Sequence, residues 1–171
     1  MRIDVLRKTF SYDPNTGIFT WKISTGNRIR VGDKAGCVDY SGYVNIALHG
    51  KIHKGHRLAW MIHYGENPRI IDHVNGDKSD NRIVNLRTAS PLQNSQNRKG
   101  FGKVPYKGVC LSSYSRDIEI GNSMYRTSIS LNGKRKHIGN FPSAVLAALA
   151  YDEMAKAKFG EFAKLNFPNE V

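Results

Sequence analysis

Apolar and polar positions fall into short runs broken by turn residues over the first third of the chain. After a short helical segment, FSYDPNTGIFTW places aromatic, β-prone residues on both sides of Asp13-Pro14-Asn15-Thr16-Gly17. That turn cluster predicts a hairpin. Residues 24–34 are polar and basic and read as a loop. Ala35–Val38, Tyr43–Leu48 and Lys51–His53, separated by Ser41-Gly42 and His49-Gly50, read as a small antiparallel meander. HRLAWMIHY at 56–64 then takes helical spacing, with Gly65 as its stop and Pro68 beyond.

The next stretch changes character. Ile70–Val74 reads as a strand, Asn75-Gly76 opens a turn, and a polar loop runs to Arg82. Asn85–Thr88 reads as the return strand. Ser90-Pro91-Leu92-Gln93 is a helix start, with a capping serine, proline at the first helical position and glutamine closing a capping box. The helix is expected to reach about Lys99, before Gly100. The order is strand, loop, strand, helix.

Residues 100–105 are rich in glycine, proline and lysine and read as a linker between domains at 1–99 and 106–171. Beyond it, strands are expected near Lys107–Ser112, Tyr125–Leu131 and Lys136–Phe141. Asn132-Gly133 is a favoured hairpin turn. A helix follows from Ala144 to Phe159, capped by Ser143, stopped by Gly160 and rich in alanines that permit close approach to a sheet. The fold class is therefore α+β: a small N-terminal antiparallel β region, a strand–strand–helix unit, and a three-stranded antiparallel sheet packed on one helix.

Composition narrows the function. With 171 residues, 40% of them hydrophobic, the chain can build one or two small cores. No apolar run approaches the roughly 20 residues a bilayer span needs. Met1–Phe10 shows no signal-peptide core, so a cytoplasmic location with no membrane partner is expected. Cys37 and Cys110 form no CxxC pair and read as small buried hydrophobes, so no structural zinc is expected. The 26 Lys+Arg against 14 Asp+Glu give a net charge of +12. That surplus attracts polyanions, nucleic acid first among them. Residues 1–99 carry 16 basic and 8 acidic side chains and residues 100–171 carry 10 and 6, so both parts are suited to DNA.

Phosphodiester hydrolysis needs an activated water and charge stabilisation at the phosphoryl and leaving oxygens. A neutral histidine takes a proton near pH 7, and a hard cation on oxygen ligands supplies the stabilisation. Asp72-His73 offers both functions on adjacent residues. Neighbouring strand residues point to opposite faces, so one shared site requires a bulge or a strand end. Asn94, near the first turn of the helix after Ser90, can supply a second oxygen ligand opposite Asp72. Asn85 can brace the geometry around His73. His56 is open to three roles, helix cap, buried partner or DNA contact, with structure favoured over catalysis. His49, His53 and His63 show no partner pattern. Asp77 and Asp80 suit turn roles.

These residues resemble the HNH, or ββα-metal, nuclease motif in the variant whose third letter is Asn. The letters fall on His73, Asn85 and Asn94, with Asp72 just before the first. The spacings of twelve and nine residues, HRLAW at 56–60 and the loop NGDKSDN are similar to phage-type HNH homing endonucleases. The resemblance covers most of residues 35–99. It implies His73 as general base, Asp72 and Asn94 as ligands of one Mg²⁺, with Mn²⁺ a possible substitute, and Asn85 as a positioning residue.

In the strand Tyr125–Leu131, Arg126, Ser128 and Ser130 share one face, and Tyr125, Thr127, Ile129 and Leu131 share the other. One face suits DNA and one suits the helix. The candidate contacts are Lys107, Arg126, Ser128, Lys134, Arg135, Lys136 and His137, with Arg126 the best base contact because Arg pairs bidentately with guanine. Tyr151 and Phe159 read as core. YKGV, IGNF, AYDEMAKAKFG and AKLNF resemble, in order, the APETALA or ethylene-response-factor DNA-binding domain of plants and phage nucleases. That resemblance implies docking of the sheet in a major groove. The stretch CLSSYSRDIEIGNSM departs from the pattern by its length and by its acidic Asp117 and Glu119.

The expectation is thus a metal-dependent endonuclease that nicks or cleaves double-stranded DNA. It would act as a monomer or weak dimer without a small-molecule substrate, in the bacterial cytoplasm if phage-encoded. The alternatives are a non-catalytic DNA-binding regulator with a degenerate nuclease fold, and an RNA-binding basic protein.

Overall fold

A computed structural model describes residues 2–100, 102–112 and 124–168. Its contacts divide the chain into two compact units, Met1–Pro91 and Leu92–Val171. Asp117 and Glu119 lie outside the described residues.

In the first unit, α1 (Ile3–Thr9) leads into β1 (Phe10–Tyr12), which pairs antiparallel with β2 (Phe19–Trp21). The pairing sets Phe10 opposite Trp21, with ring centroids 4.7 Å apart. These rings and Leu6 anchor the core. Strands β3 (Cys37–Val38), β4 (Val44–Leu48) and β5 (Lys51–Lys54) form the meander, in the order β3-β4-β5. Helix α2 (Gly55–Tyr64) buries Leu58, Ala59, Trp60 and Met61 against that core and stops at Gly65, whose φ is 78°. Burying such side chains, at about 25 cal/mol per Å² of apolar surface, is what holds so short a helix in place.

Strand β6 (Ile71–His73) pairs antiparallel with β7 (Leu86–Thr88) in regular register: Ile71 opposite Thr88, Asp72 opposite Arg87, His73 opposite Leu86. The loop between them closes through a 3-10 turn, Ile83–Asn85, so Asn85 stands just before the return strand rather than inside it.

The second unit holds all of helix α3 (Pro91–Gln96) after its first residue. The helix ends short of Lys99 because none of its residues is buried, and an isolated polar helix of this length has little to sustain it. The units therefore divide earlier in the chain than the glycine-rich segment at 100–105. Strands β8 (Val109–Leu111), β9 (Tyr125–Leu131) and β10 (Lys134–Phe141) form an antiparallel sheet in the order β10-β9-β8. Asn132 and Gly133 take φ of 49° and 77° at the β9–β10 turn, the conformation that Asn-Gly hairpins favour. Helix α4 (Ala144–Phe159) is capped by Ser143, whose side chain accepts from Leu146 N–H. Its Ala147, Ala148 and Ala155 are fully buried, and Tyr151 and Phe159 pack in the core as expected. Buried Asp152 accepts from the backbone N–H of Asn166 and Phe167, while Asn166 Oδ1 accepts from Lys107 N–H. The C-terminal segment is thereby tied to both α4 and the approach to β8.

Both cysteines are exposed and free, which corrects the expectation that they fill the core. Cys37 lies on edge strand β3, and Cys110 on edge strand β8. Among the described residues no helix is long and apolar enough to cross a membrane.

Candidate active site and DNA-reading face

The catalytic candidates gather at the end of β6. His73 closes that strand and is 5% exposed. Its ring centroid lies 5.0 Å from that of His56, edge to face, and 6.1 Å from that of Tyr43. His56 stands in the first turn of α2 and is 8% exposed. Burial, then the neighbouring His73, Arg57 and Lys54, lowers its pKa to about 3. His73 is also held below the ordinary histidine value, mainly by burial, with a hydrogen bond to the Asn81 side-chain oxygen and the charge of Asp72 opposing. Both shifts favour the neutral ring, the state a proton acceptor needs.

The regular register sends the side chains of Asp72 and His73 to opposite faces of β6. There is no bulge, but the ladder ends at His73, the strand end that a shared site requires. Asp72 meets Arg87 across the strands: Nε and Nη2 donate to Oδ2 at 3.1 and 2.9 Å. Both side chains are largely buried, at 7% and 12% exposure. The sequence reading missed Arg87. Its signal was available, since Asp on one strand and Arg on the next fall into register once the hairpin is assumed.

Asn85 is hydrogen-bonded across the loop. Its Oδ1 accepts from Asn75 N–H at 3.0 Å, and its Nδ2 donates to the Asp80 carbonyl at 2.8 Å. It spans the loop from the inside. Asp77 and Asp80 serve that loop too, Asp77 accepting from Ser79 and Asp80 from Arg82 and Asn75.

A second missed feature surrounds Tyr43. The ammonium groups of Lys54 and Lys78 lie 4.7 and 4.8 Å from its ring centroid. Lys54 is paired with Asp39 at 2.8 Å, and that contact is the main reason the Asp39 carboxyl stays well below the usual carboxylate range. Lys78 donates to the Ser41 carbonyl at 3.1 Å. Two fixed cations beside a histidine pair suit an approaching phosphate.

Asn94 lies half-buried on α3, in the second unit, whereas Asp72, His73 and Asn85 lie in the first. Among the described residues no group of three or more His, Cys, Asp or Glu can hold a metal ion. One hard carboxylate that also serves Arg87 suits a cation that completes its shell with water and phosphate oxygens, and does not suit an all-protein cage.

On β9 the burial alternates as expected, with Thr127 and Ile129 inward and Arg126 exposed. The pairing sets Arg135 opposite Ser130, His137 opposite Ser128 and Asn140 opposite Arg126. Arg126, Ser128, Arg135 and His137 thus share one face, and the register shift between His137 and Gly139 brings Asn140 opposite Arg126. Lys134 and Lys136 stand opposite Leu131 and Ile129, on the other face, although both are exposed. Lys107 is half-buried, and its Nζ donates to the Gln96 carbonyl; burial lowers its pKa to about 8. It lines a cavity of about 480 Å³ with Leu92, Gln96, Ser128, Arg135 and Tyr151.

Residues 53–96, which span α2, the β6–β7 pair and α3, match the family model described as HNH endonuclease. That segment is similar to HNH endonucleases. The matched segment lies within a longer similarity, 33% identity over 133 residues, to an uncharacterized HNH endonuclease of Acanthamoeba polyphaga mimivirus. That match covers 77% of this chain and 64% of the relative, so the chain spans less than two thirds of that relative's length. Dehydration-responsive element-binding protein 2C of Arabidopsis thaliana is 40% identical over 70 residues, 41% of this chain and 20% of its own length. A putative protein 2H of the same kind and plant is 34% identical over 84 residues, 48% of this chain and 53% of its own. No solved structure matches.

Proposed function

We propose that the chain is a metal-dependent DNA endonuclease of the HNH homing type, hydrolysing phosphodiester bonds in double-stranded DNA, with a C-terminal sequence-reading domain. The observation that carries this reading is the buried imidazole of His73 at the end of β6, with Asp72 beside it in sequence and Asn85 bracing the loop. His73 takes a proton from water as the water oxygen bonds to phosphorus, and the bond from phosphorus to the leaving oxygen breaks. HNH nucleases generally use a divalent metal. In the first unit Asp72 would be a ligand of Mg²⁺, or of Mn²⁺ in its place, which would supply charge stabilisation at the phosphoryl and leaving oxygens. Lys54 and Lys78, fixed against Tyr43, draw the backbone phosphate toward His73.

The similarity to the plant element-binding proteins supports DNA as the partner of the second unit. Arg126, Ser128, Arg135 and His137 present one face for groove contact, Lys134 and Lys136 reach phosphates from the hairpin end, and Lys107 stands behind them at the start of the sheet. A tethered reader raises the local DNA concentration at a cutting site that itself reads little sequence. A monomer with one such site nicks one strand, and two cuts require a second encounter.

The test is cutting of a labelled duplex with Mg²⁺ by the wild type and by His73→Ala. Loss of about 10²- to 10⁴-fold in rate, with DNA binding retained, is expected. Undiminished cutting by the variant removes His73 as the base. A wild type that shifts DNA and never cuts it with Mg²⁺ or Mn²⁺ makes the protein a DNA-binding regulator on a nuclease fold.

A further inference from the structure

Tyr40 stands in the turn that joins β3 to β4, and its side chain is fully exposed. A ring left in water contributes nothing to the core. The turn that carries it is nevertheless firmly tied. The Asp39 carboxylate accepts from Ser41 N–H and Oγ–H at 2.9 and 2.6 Å, from Tyr43 N–H at 3.1 Å, from Asn45 Nδ2 at 2.9 Å and from Lys54 Nζ at 2.8 Å. Asp39 N–H donates to the Tyr43 carbonyl at 2.8 Å, and Gly42 N–H to the Asp39 carbonyl at 2.9 Å. Lys78 reaches the Ser41 carbonyl from the loop between β6 and β7, and a Cβ on Gly42 would lie 4.0 Å from its stem. These contacts hold the Tyr40 ring out on a fixed backbone.

The surroundings are cationic. Lys54 and Lys78, which tie the turn, also flank the ring of Tyr43, and that ring lies 5.3 Å from His56 and 6.1 Å from His73, centroid to centroid. The one carboxylate of the turn, Asp39, is engaged by these donors and offers a phosphate no free charge. Cations serve phosphates, whereas a bare aromatic ring serves the face of a base. A tyrosine on a fixed turn has only two side-chain torsions to lose on contact, so its burial against a ligand is little opposed by entropy.

We infer that Tyr40 is a wedge that packs its ring against a base at the step beside the phosphate drawn in by Lys54 and Lys78, partly unstacking that step. The inference rests on the reading of the first unit as the part that grips duplex DNA beside His73, and adds to it a residue that selects where on the duplex it settles. A duplex hides its base faces, so the ring must open a step to enter. Opening costs least at a flexible pyrimidine–purine step or a mismatch. Tyr40 thus favours a weak stack at one position without reading a base edge.

The test uses the full chain in EDTA, so that binding is read without cutting. Affinity is measured for a duplex selected by binding from a random pool, and for copies in which a single mismatch moves along it one step at a time. A mismatch at one step, or at two neighbouring steps, is expected to tighten binding about 10-fold. In Tyr40→Ala that gain disappears, and the matched duplex is bound about 5-fold or more weakly with the salt slope unchanged, because no phosphate contact is lost. Tyr40→Phe keeps the ring and keeps the gain. The side chain is fully exposed, so a loss in Tyr40→Ala is not a loss of fold. A wild type indifferent to every mismatch overturns the proposal, as does a Tyr40→Ala chain that retains the gain. A lower salt slope in Tyr40→Ala overturns it by making Tyr40 a backbone contact, and a Tyr40→Phe chain that behaves like Tyr40→Ala does so by making the hydroxyl the contact. A Tyr40→Ala chain altered only in self-association overturns it too, and makes the turn a contact between copies. Failure of the nuclease reading looks different: with Mg²⁺ or Mn²⁺ the wild type binds these duplexes and leaves them uncut, whatever Tyr40 does.

Discussion

Arg87 and Asp72 face each other across the β6–β7 ladder, with two guanidinium nitrogens on one carboxylate oxygen. The pair is largely out of water, so its members depend on each other more than exposed ions would. Arg87→Leu is expected to destabilise the fold by about 3 kcal/mol, because it leaves a carboxylate buried without its cation. The double variant Asp72→Leu with Arg87→Leu should recover most of that loss and still fail to cut. Urea unfolding of the three proteins checks this. A double variant no more stable than Arg87→Leu alone would show that the cost lies in packing around the arginine.

His56 gives the fold a dependence on acid. The unfolded chain protonates this histidine as pH falls through about 6.5. The folded chain resists until about pH 3, since burial disfavours the charged ring and His73, Arg57 and Lys54 add to the penalty. The contribution is complete above pH 6.5 and is lost as pH falls between the two values, by about 1.4 kcal/mol per unit. Between pH 7 and pH 5 the wild type should therefore lose about 2 kcal/mol more stability than His56→Gln. His73, shifted the same way, adds to the trend in both proteins. Parallel stability curves for wild type and variant would mean that His56 is hydrated in the folded state.

On the reading sheet, register separates two kinds of basic residue. Arg126 lies on the face with Ser128, Arg135 and His137, whereas Lys136 stands opposite Ile129 on the other face. Arg126→Ala should weaken binding to the preferred site by roughly 1–3 kcal/mol and relax discrimination at one position. Lys136→Ala should weaken binding to all sequences alike and lower the salt slope by about 1. Binding titrations at several salt concentrations, on preferred and scrambled duplexes, distinguish them. Equal loss of discrimination in both variants would place the readout elsewhere.

Much of this architecture was legible where the chain punctuates itself. Gly65 ended α2, Asn132-Gly133 turned β9 into β10, and Ser143 and Gly160 bounded α4, each through a local backbone preference. Residues whose role depends on long-range register were not legible. Arg87 acquires its meaning only when β7 is set against β6. Asn81 belongs to a polar loop whose letters favour turns, and nothing local says that two distant glycines, Gly17 and Gly55, will admit it to the interior. The reach of α3 was overestimated because a good cap was read as a long helix, although the residues after it offer no apolar face. The exposed cysteines sit on short edge strands, where a small side chain need not be covered.

The short helix α3 has an implication for anyone exchanging modules of this chain. From Leu92 onward it keeps company with the C-terminal unit, and the Lys107 ammonium grips its last carbonyl. A graft cut at the glycine-rich segment would leave that helix behind and strip it of its lysine. Contacts divide the chain at Pro91, whereas the segment similar to HNH endonucleases runs on to residue 96, so a graft taken at Pro91 splits that segment and carries Asn94 with the C-terminal unit.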